Sequence, residues 1–180
     1  MPEIEVRPAV ENDIQLLIQF DHSFSSDHAL QMEYRLEAGQ LGAAFREVRL
    51  PRSVKVEYPR APGSLAESWQ KRSGLLIAVL NGAPVGYVSL SQETLPFTTW
   101  MTDVVVDARL RRQGIGSALV LAAQDWMAIQ PVSQRLILEM QPKNYPAIQF
   151  AQMLGFDFCG FIDQYYLNQD AALLFAKWVV

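Results

Sequence analysis

Between Val104 and Leu119 an apolar run, a basic loop and two glycines follow one another. The run is Val104-Val105-Val106. The loop sets Arg109, Arg111 and Arg112 against Asp107, and Gly114-Ile115-Gly116 then opens Ser117-Ala118-Leu119. Glycine has no Cβ, so backbone there can come close to a ligand. The first turn of a helix carries unpaired N–H groups and a partial positive charge, which together bind phosphate. Three arginines against one aspartate give the loop net charge +2 in a chain of net charge −4. This spacing points to a polyphosphate ligand. Asp103, just before the apolar run, sets a carboxylate in an otherwise apolar strand. That is the kind of group that accepts a proton near neutral pH, and the plain alternative is an ion pair with an arginine.

Two polyphosphate chemistries compete for the loop. Gly114-x-Gly116 suggests a dinucleotide-binding turn, and Glu139, 23 residues past Gly116, stands where a ribose-binding acid would be. Against it, seven residues separate Val106 from Gly114, and the third glycine position is Leu119. No repeated parallel units precede it. His22 and His28 have no carboxylate at metal-ligand spacing, so no metal is expected, and Cys159 among Phe158, Phe161 and Ile162 reads as packing.

The elements that must position these groups are partly legible. Ile4 to Arg7 reads as a strand, followed by a helix with Ile14, Leu17 and Ile18 on one face and Asn12 or Asp13 as cap. Ser26 to Ala38 reads as a second helix ending near Gly39. Ala44 to Tyr58 reads as a hairpin turning at Pro51-Arg52-Ser53. Leu65 to Lys71 gives one or two helical turns. Leu75 to Leu80 and Val85 to Leu90 flank Asn81-Gly82, a strong hairpin signal. Trp100 to Val106 is a strand, Ser117 to Ile129 a helix, and Leu136 to Leu138 a strand. Asn144 caps a helix over Tyr145–Met153 that tolerates Pro146 in its first turn and stops at Gly155. Phe158 to Phe161 and Tyr165 to Leu167 read as closing strands, and Ala171 to Trp178 as an apolar, helix-like segment. Strands and helices so mixed, with hairpins, predict an α+β (mixed α/β) single domain over 1–180.

Composition narrows the function further. Half the residues are hydrophobic and 19% charged, which is globular composition. No apolar run approaches the ~20 residues of a membrane helix. Met1 to Glu5 has neither the basic nor the apolar region of a secretory signal. A single cysteine excludes an internal disulfide, so the reducing cytoplasm is the expected location. Net negative charge argues against a nucleic-acid partner and suits a cationic one. The apolar tail from Ala171 to Val180 offers a surface for a possible homodimer.

Arg111-Arg112-Gln113-Gly114-Ile115-Gly116 resembles the R-x-x-G-x-G/A pyrophosphate loop of the GNAT superfamily of N-acetyltransferases. Thr102-Asp103-Val104-Val105-Val106 resembles the strand before that loop. Asn144-Tyr145-Pro146-Ala147-Ile148-Gln149-Phe150, with Leu154-Gly155-Phe156, resembles the family's N-x-x-A-I-x-F-Y-x-x-x-G-F helix. Asp163-Gln164-Tyr165-Tyr166-Leu167-Asn168 and the hairpin insert resemble the streptothricin acetyltransferase subgroup more weakly.

The resemblance implies a central mixed, mostly antiparallel sheet flanked by helices, with acetyl-CoA as co-substrate. It implies that Val104, Val105 and Val106 meet the pantetheine arm through their backbone. Arg111, Arg112, Gln113, Gly114, Ile115, Gly116 and Ser117 would surround the pyrophosphate, and Asn144 and Ala147 would lie beside the thioester. The acceptor would be a primary amine of a small molecule, aminoglycoside- or streptothricin-like, or of a peptide. That amine must lose a proton before it attacks, and Asp103 is the expected base. The family's usual acid, a tyrosine after the helix phenylalanine, is Ala151 here. Tyr166 and Tyr145 are the candidates to replace it, Tyr166 preferred because it matches the tail, or the thiolate leaves unassisted. A competing reading, raised by Ala151, is an acyl-CoA sensor without turnover.

Overall fold

The computed structural model describes residues 3–92, 95–130 and 134–179. Its frame is a seven-stranded sheet in the order β1-β4-β5-β6-β7-β9-β8. The strands are β1 (Glu5–Pro8), β4 (Gly74–Leu80), β5 (Ala83–Ser91), β6 (Thr98–Val106), β7 (Arg135–Met140), β8 (Asp157–Ile162) and β9 (Ala172–Trp178). Every neighbouring pair is antiparallel except β6 and β7. The expected α+β class with a mixed, mostly antiparallel sheet is therefore what the chain forms.

Helices cover both faces. On one side, α3 (Ile115–Ala128) lays Ile115, Leu119, Val120, Ala123 and Met127 against β4, β5 and β6. These residues recur at helical spacing and contain no β-branched run to resist the helix. Leu119 is completely buried, so truncation to alanine removes about 2–5 kcal/mol. α4 (Tyr145–Met153) buries Ile148 and Ala151 in the same core. On the other side, Ile14 and Leu17 of α1 (Glu11–Leu17) and Leu65 of α2 (Ser64–Ser68) meet Leu75, Ile77, Val79, Tyr87 and Val105. Alternate residues of β4 thus enter different cores, which explains its unbroken apolar run. Asn81 and Gly82, both with positive φ, make the β4–β5 turn.

Four readings of the sequence are corrected. The segment expected as a helix over Ser26–Ala38 is β2 (Phe24–Glu37), paired along its length with β3 (Gln40–Val56) in a separate two-stranded sheet. Leu30, Met32, Tyr34 and Leu36 alternate with Gln31, Glu33, Arg35 and Glu37, a period of two that a strand satisfies. The hairpin accordingly turns near Gly39, with φ 81°, rather than at Pro51-Arg52-Ser53. Those residues fall in a bulge where pairing jumps from Ser26–Val54 to His28–Arg49. Tyr165–Leu167 is not a strand but a turn, its Tyr165 and Tyr166 amides both donating to Asp170 O. The tail, described to residue 179, is not helix-like. It is the strand β9, inserted between β7 and β8. Leu173 and Phe175 point into the main core, and that two-sided burial erases alternation.

Candidate active site

β6 and β7 pair only from Thr98–Arg135 to Met101–Leu138. Beyond that point β6 keeps its partner β5 as far as Val106, but no longer pairs with β7. The sheet therefore opens at its single parallel seam, and a cleft of about 450 Å³ occupies the gap. Alternation sends Asp103 and Val105 inward to one core, while Val104 and Val106 stay half-buried on the other face.

One wall is the loop into α3. The backbone turns through positive φ at Arg112, 66°, and Gly114, 84°, a winding that presents amides to anions. Glycine at 114 removes the Cβ penalty of that conformation. The first intrahelical bond is from Ala118 N to Gly114 O, so the amides of Ile115, Gly116 and Ser117 have no partner within the helix. Among the described residues no side chain caps this end, and its first turn has no acidic residue. Gly116 lets Phe150 of α4 lie close, since a Cβ there would stand 3.2 Å from the ring. Asn144 Oδ1 accepts from Ala147 N at 3.2 Å and caps α4. Phe156 N and Gly155 N close its far end on Ala151 O and Gln152 O.

The expected cofactor residues Val104, Val105, Val106, Arg111, Arg112, Gly114, Ile115, Gly116, Ser117, Asn144 and Ala147 line this cleft; Gln113 does not. The Arg111 side chain is committed to protein. Its guanidinium donates to Val106 O at 3.0 Å, Ser23 O at 2.6 Å and Asp21 O at 2.8 Å. Ala151 is fully buried in the core, so nothing at that position reaches the cleft.

The opposite end holds an ionic cluster. Glu139 on β7 lines the cleft with its side chain buried, and Arg60 donates to its Oε1. Tyr166 donates to the same oxygen at 3.3 Å, and Tyr165 donates to Oε2 at 3.1 Å. Burial pushes the Glu139 carboxyl up, and Arg60 offsets this only in part. Burial opposes the charge of Arg60 as well, yet Asp103 and Glu139 together hold it firmly protonated. The guanidinium also lies over the Tyr166 ring, 5.3 Å from its centre. Burial and the neighbouring Glu139 push the Tyr166 phenol up, so it keeps its proton at neutral pH.

Tyr166 lines the cleft as expected, while Tyr145 does not. Asp103 stands behind it. Its Oδ1 accepts from Tyr58 at 2.5 Å and lies 3.5 Å from Arg60, while Oδ2 accepts from Thr102 Oγ1 at 3.0 Å and lies 3.8 Å from Arg72. Asp103 is not among the cleft-lining residues, and this geometry matches the ion-paired alternative. His22 lines the cleft too. Its Nδ1 donates to Phe20 O at 2.7 Å, burial lowers its pKa, and Nε2 accepts from Tyr87 at 3.1 Å.

The open seam thus joins an uncapped helix end to a buried acid–tyrosine cluster. The acetyltransferase (GNAT) family model matches residues 43–156, and the chain belongs to that family. Streptothricin acetyltransferase of Streptomyces lavendulae is 30% identical over 162 residues, covering 87% of this chain and 82% of that protein. The crystal structure of nourseothricin acetyltransferase shares the fold with TM-score 0.82 at 22% identity, over 98% of this chain and 99% of the other. A Bacillus anthracis structure assigned as a streptothricin acetyltransferase, in complex with acetyl coenzyme A, gives TM-score 0.77 at 20% identity over 98% and 99%.

Proposed function

We propose that this enzyme transfers an acetyl group from acetyl-CoA to a primary amine of a small cationic molecule of the streptothricin type. The observation that carries the reading is the stretch of β6 that β7 leaves unpaired, which runs from the uncapped α3 to Glu139 and Tyr166. The residues fit the co-substrate. The Ile115, Gly116 and Ser117 amides suit a diphosphate, and the β6 edge at Val104, which β7 does not pair, suits an extended chain with amide groups. Asn144 and Ala147 flank the same path. The relative from Streptomyces lavendulae and the acetyl coenzyme A complex from Bacillus anthracis support the acceptor and the donor respectively.

When bound, acetyl-CoA supplies an acetyl group activated as a thioester. The chain's own groups then manage protons. Glu139, basic because it is buried, takes the proton from the attacking amine at a carboxylate oxygen. Tyr166 holds a proton at its phenolic oxygen and delivers it to the departing sulfur. Asp103, the carboxylate first expected as the base, fixes Tyr58 and Arg60 from behind in this scheme.

A thiol-release assay with acetyl-CoA against streptothricin, simple alkylamines and a peptide α-amine tests the reading. Thiol release with streptothricin is expected. CoA binding without turnover of any amine would leave the sensor function in its place.

A further inference from the structure

We propose that Gln141 is a specificity-determining residue whose Oε1 receives a second hydrogen-bond donor of the acceptor, beside the amine that reacts. This rests on the acetyltransferase reading above. Four buried side-chain polar atoms among the described residues lack a hydrogen-bond partner: Ser89 Oγ, Trp100 Nε1, Arg135 Nε and Gln141 Oε1. Of these residues Gln141 alone lines the cleft. The residue is 1% exposed, and a buried acceptor without a donor is costly unless a ligand supplies one.

The orientation of the amide is fixed. Gln141 Nε2 donates to Asp170 Oδ2 at 2.6 Å, and an ionised carboxylate only accepts, so the Gln141 oxygen must face away from it. Lys143 Nζ at 3.0 Å and Asn168 Nδ2 at 2.9 Å donate to the same Asp170 oxygen and hold the carboxylate in place.

The ligand that meets Gln141 is the acceptor. Gln141 lies two residues past Glu139, just beyond the end of β7, and both residues line the cleft. Asp170 also accepts, through its backbone oxygen, the amides of Tyr165 and Tyr166 at 3.0 and 3.1 Å. Those tyrosines are the donors to Glu139. One residue, Asp170, thus sets both the tyrosines around the base and the direction of the Gln141 oxygen. The acceptor class follows: a compound with an amine, amide N–H or hydroxyl a few bonds from its nucleophilic amine.

The test compares 1,3-diaminopropane with n-propylamine as acceptors, and follows CoA binding by calorimetry. The native enzyme is expected to favour the diamine in kcat/KM by about tenfold, the worth of one hydrogen bond to a charged donor. Gln141→Leu abolishes that preference with CoA affinity unchanged. Asp170→Asn weakens it, because asparagine can donate and lets the Gln141 amide turn over. The pair Gln141→Glu with Asp170→Asn restores it, since the new amide donates to one carboxylate oxygen and leaves the other for the cleft. Variants that bind CoA normally but keep the full preference overturn the proposal. So does a loss of CoA affinity with the preference intact, which would assign the oxygen to the co-substrate. If the native enzyme acetylates neither of these amines nor streptothricin, the amine-acetyltransfer reading fails instead. Titration of the two amines into the CoA-loaded native and Gln141→Leu proteins then decides the role of Gln141 by the same preference.

Discussion

Glu139 combines two demands that pull apart: it is buried, which favours its neutral form, and it touches Arg60, which favours its charged form. Burial is the larger effect, so the group titrates above ordinary glutamate. The acid limb of the kcat profile is therefore expected at a pH above the usual carboxylate range. Glu139→Gln should flatten that limb and lower kcat by about a hundredfold or more. Stability follows the same sign. Because the folded pKa is raised, the contribution of Glu139 is fully present below its unfolded pKa and is lost as pH rises through the folded value. Urea titrations of the native protein and Glu139→Gln over a pH series check this, the variant showing the shallower decline. Asp103→Asn disturbs the backing of Tyr58 and Arg60 and the contacts to Thr102 and Arg72, and should reduce kcat less than Glu139→Gln; the opposite order would return the base role to Asp103. Tyr166→Phe keeps the ring beneath Arg60 and removes the proton, so kcat should fall with little change in acceptor KM. Tyr166 was legible because it lies in a recognisable tail. Glu139 was noticed only as the acid of a dinucleotide turn, and its contact with Arg60 was not legible: 79 positions separate them, and no local spacing announces a contact made only by folding.

Among the elements, the loop into α3 is tied to the rest of the fold through Arg111, which binds carbonyls from the end of β6 and from the approach to β2. Arg111→Ala removes donors from three carbonyls at once. A loss of about 1.5–3 kcal/mol is expected in urea denaturation, with weaker CoA binding as the loop loosens. Helices α3 and α4 could be read in the sequence because glycine and asparagine mark their ends locally. β2 could not be recognised while its alternation was read as a helical face. β9 was obscured for a different reason, since a short apolar run buried on both sides has no period at all. The β4–β5 hairpin was read correctly because Asn81-Gly82 fixes the turn without tertiary help.

Taken whole, the described residues part along the parallel seam to form the cleft. A ligand that spans the seam binds the folded chain and not the unfolded one, so it must stabilise the fold. CoA at a hundred times its dissociation constant is expected to add about 2.7 kcal/mol, read as a rise in Tm, while NADH adds nothing. A stabilisation by NADH instead would revive the dinucleotide reading of Gly114 and Gly116. Among the described residues no helix is long and apolar enough to cross a membrane. The strand order carries one more consequence. β8 has a single neighbour in the sheet, β9, and β9 comes after it in the chain. During synthesis β8 must therefore wait for its strand partner until residues 172–178 leave the ribosome and slide in beside β7. Cutting the chain at Asp170 would not trim an edge; it would set β8 adrift and expose a nascent surface that a chaperone would have to cover.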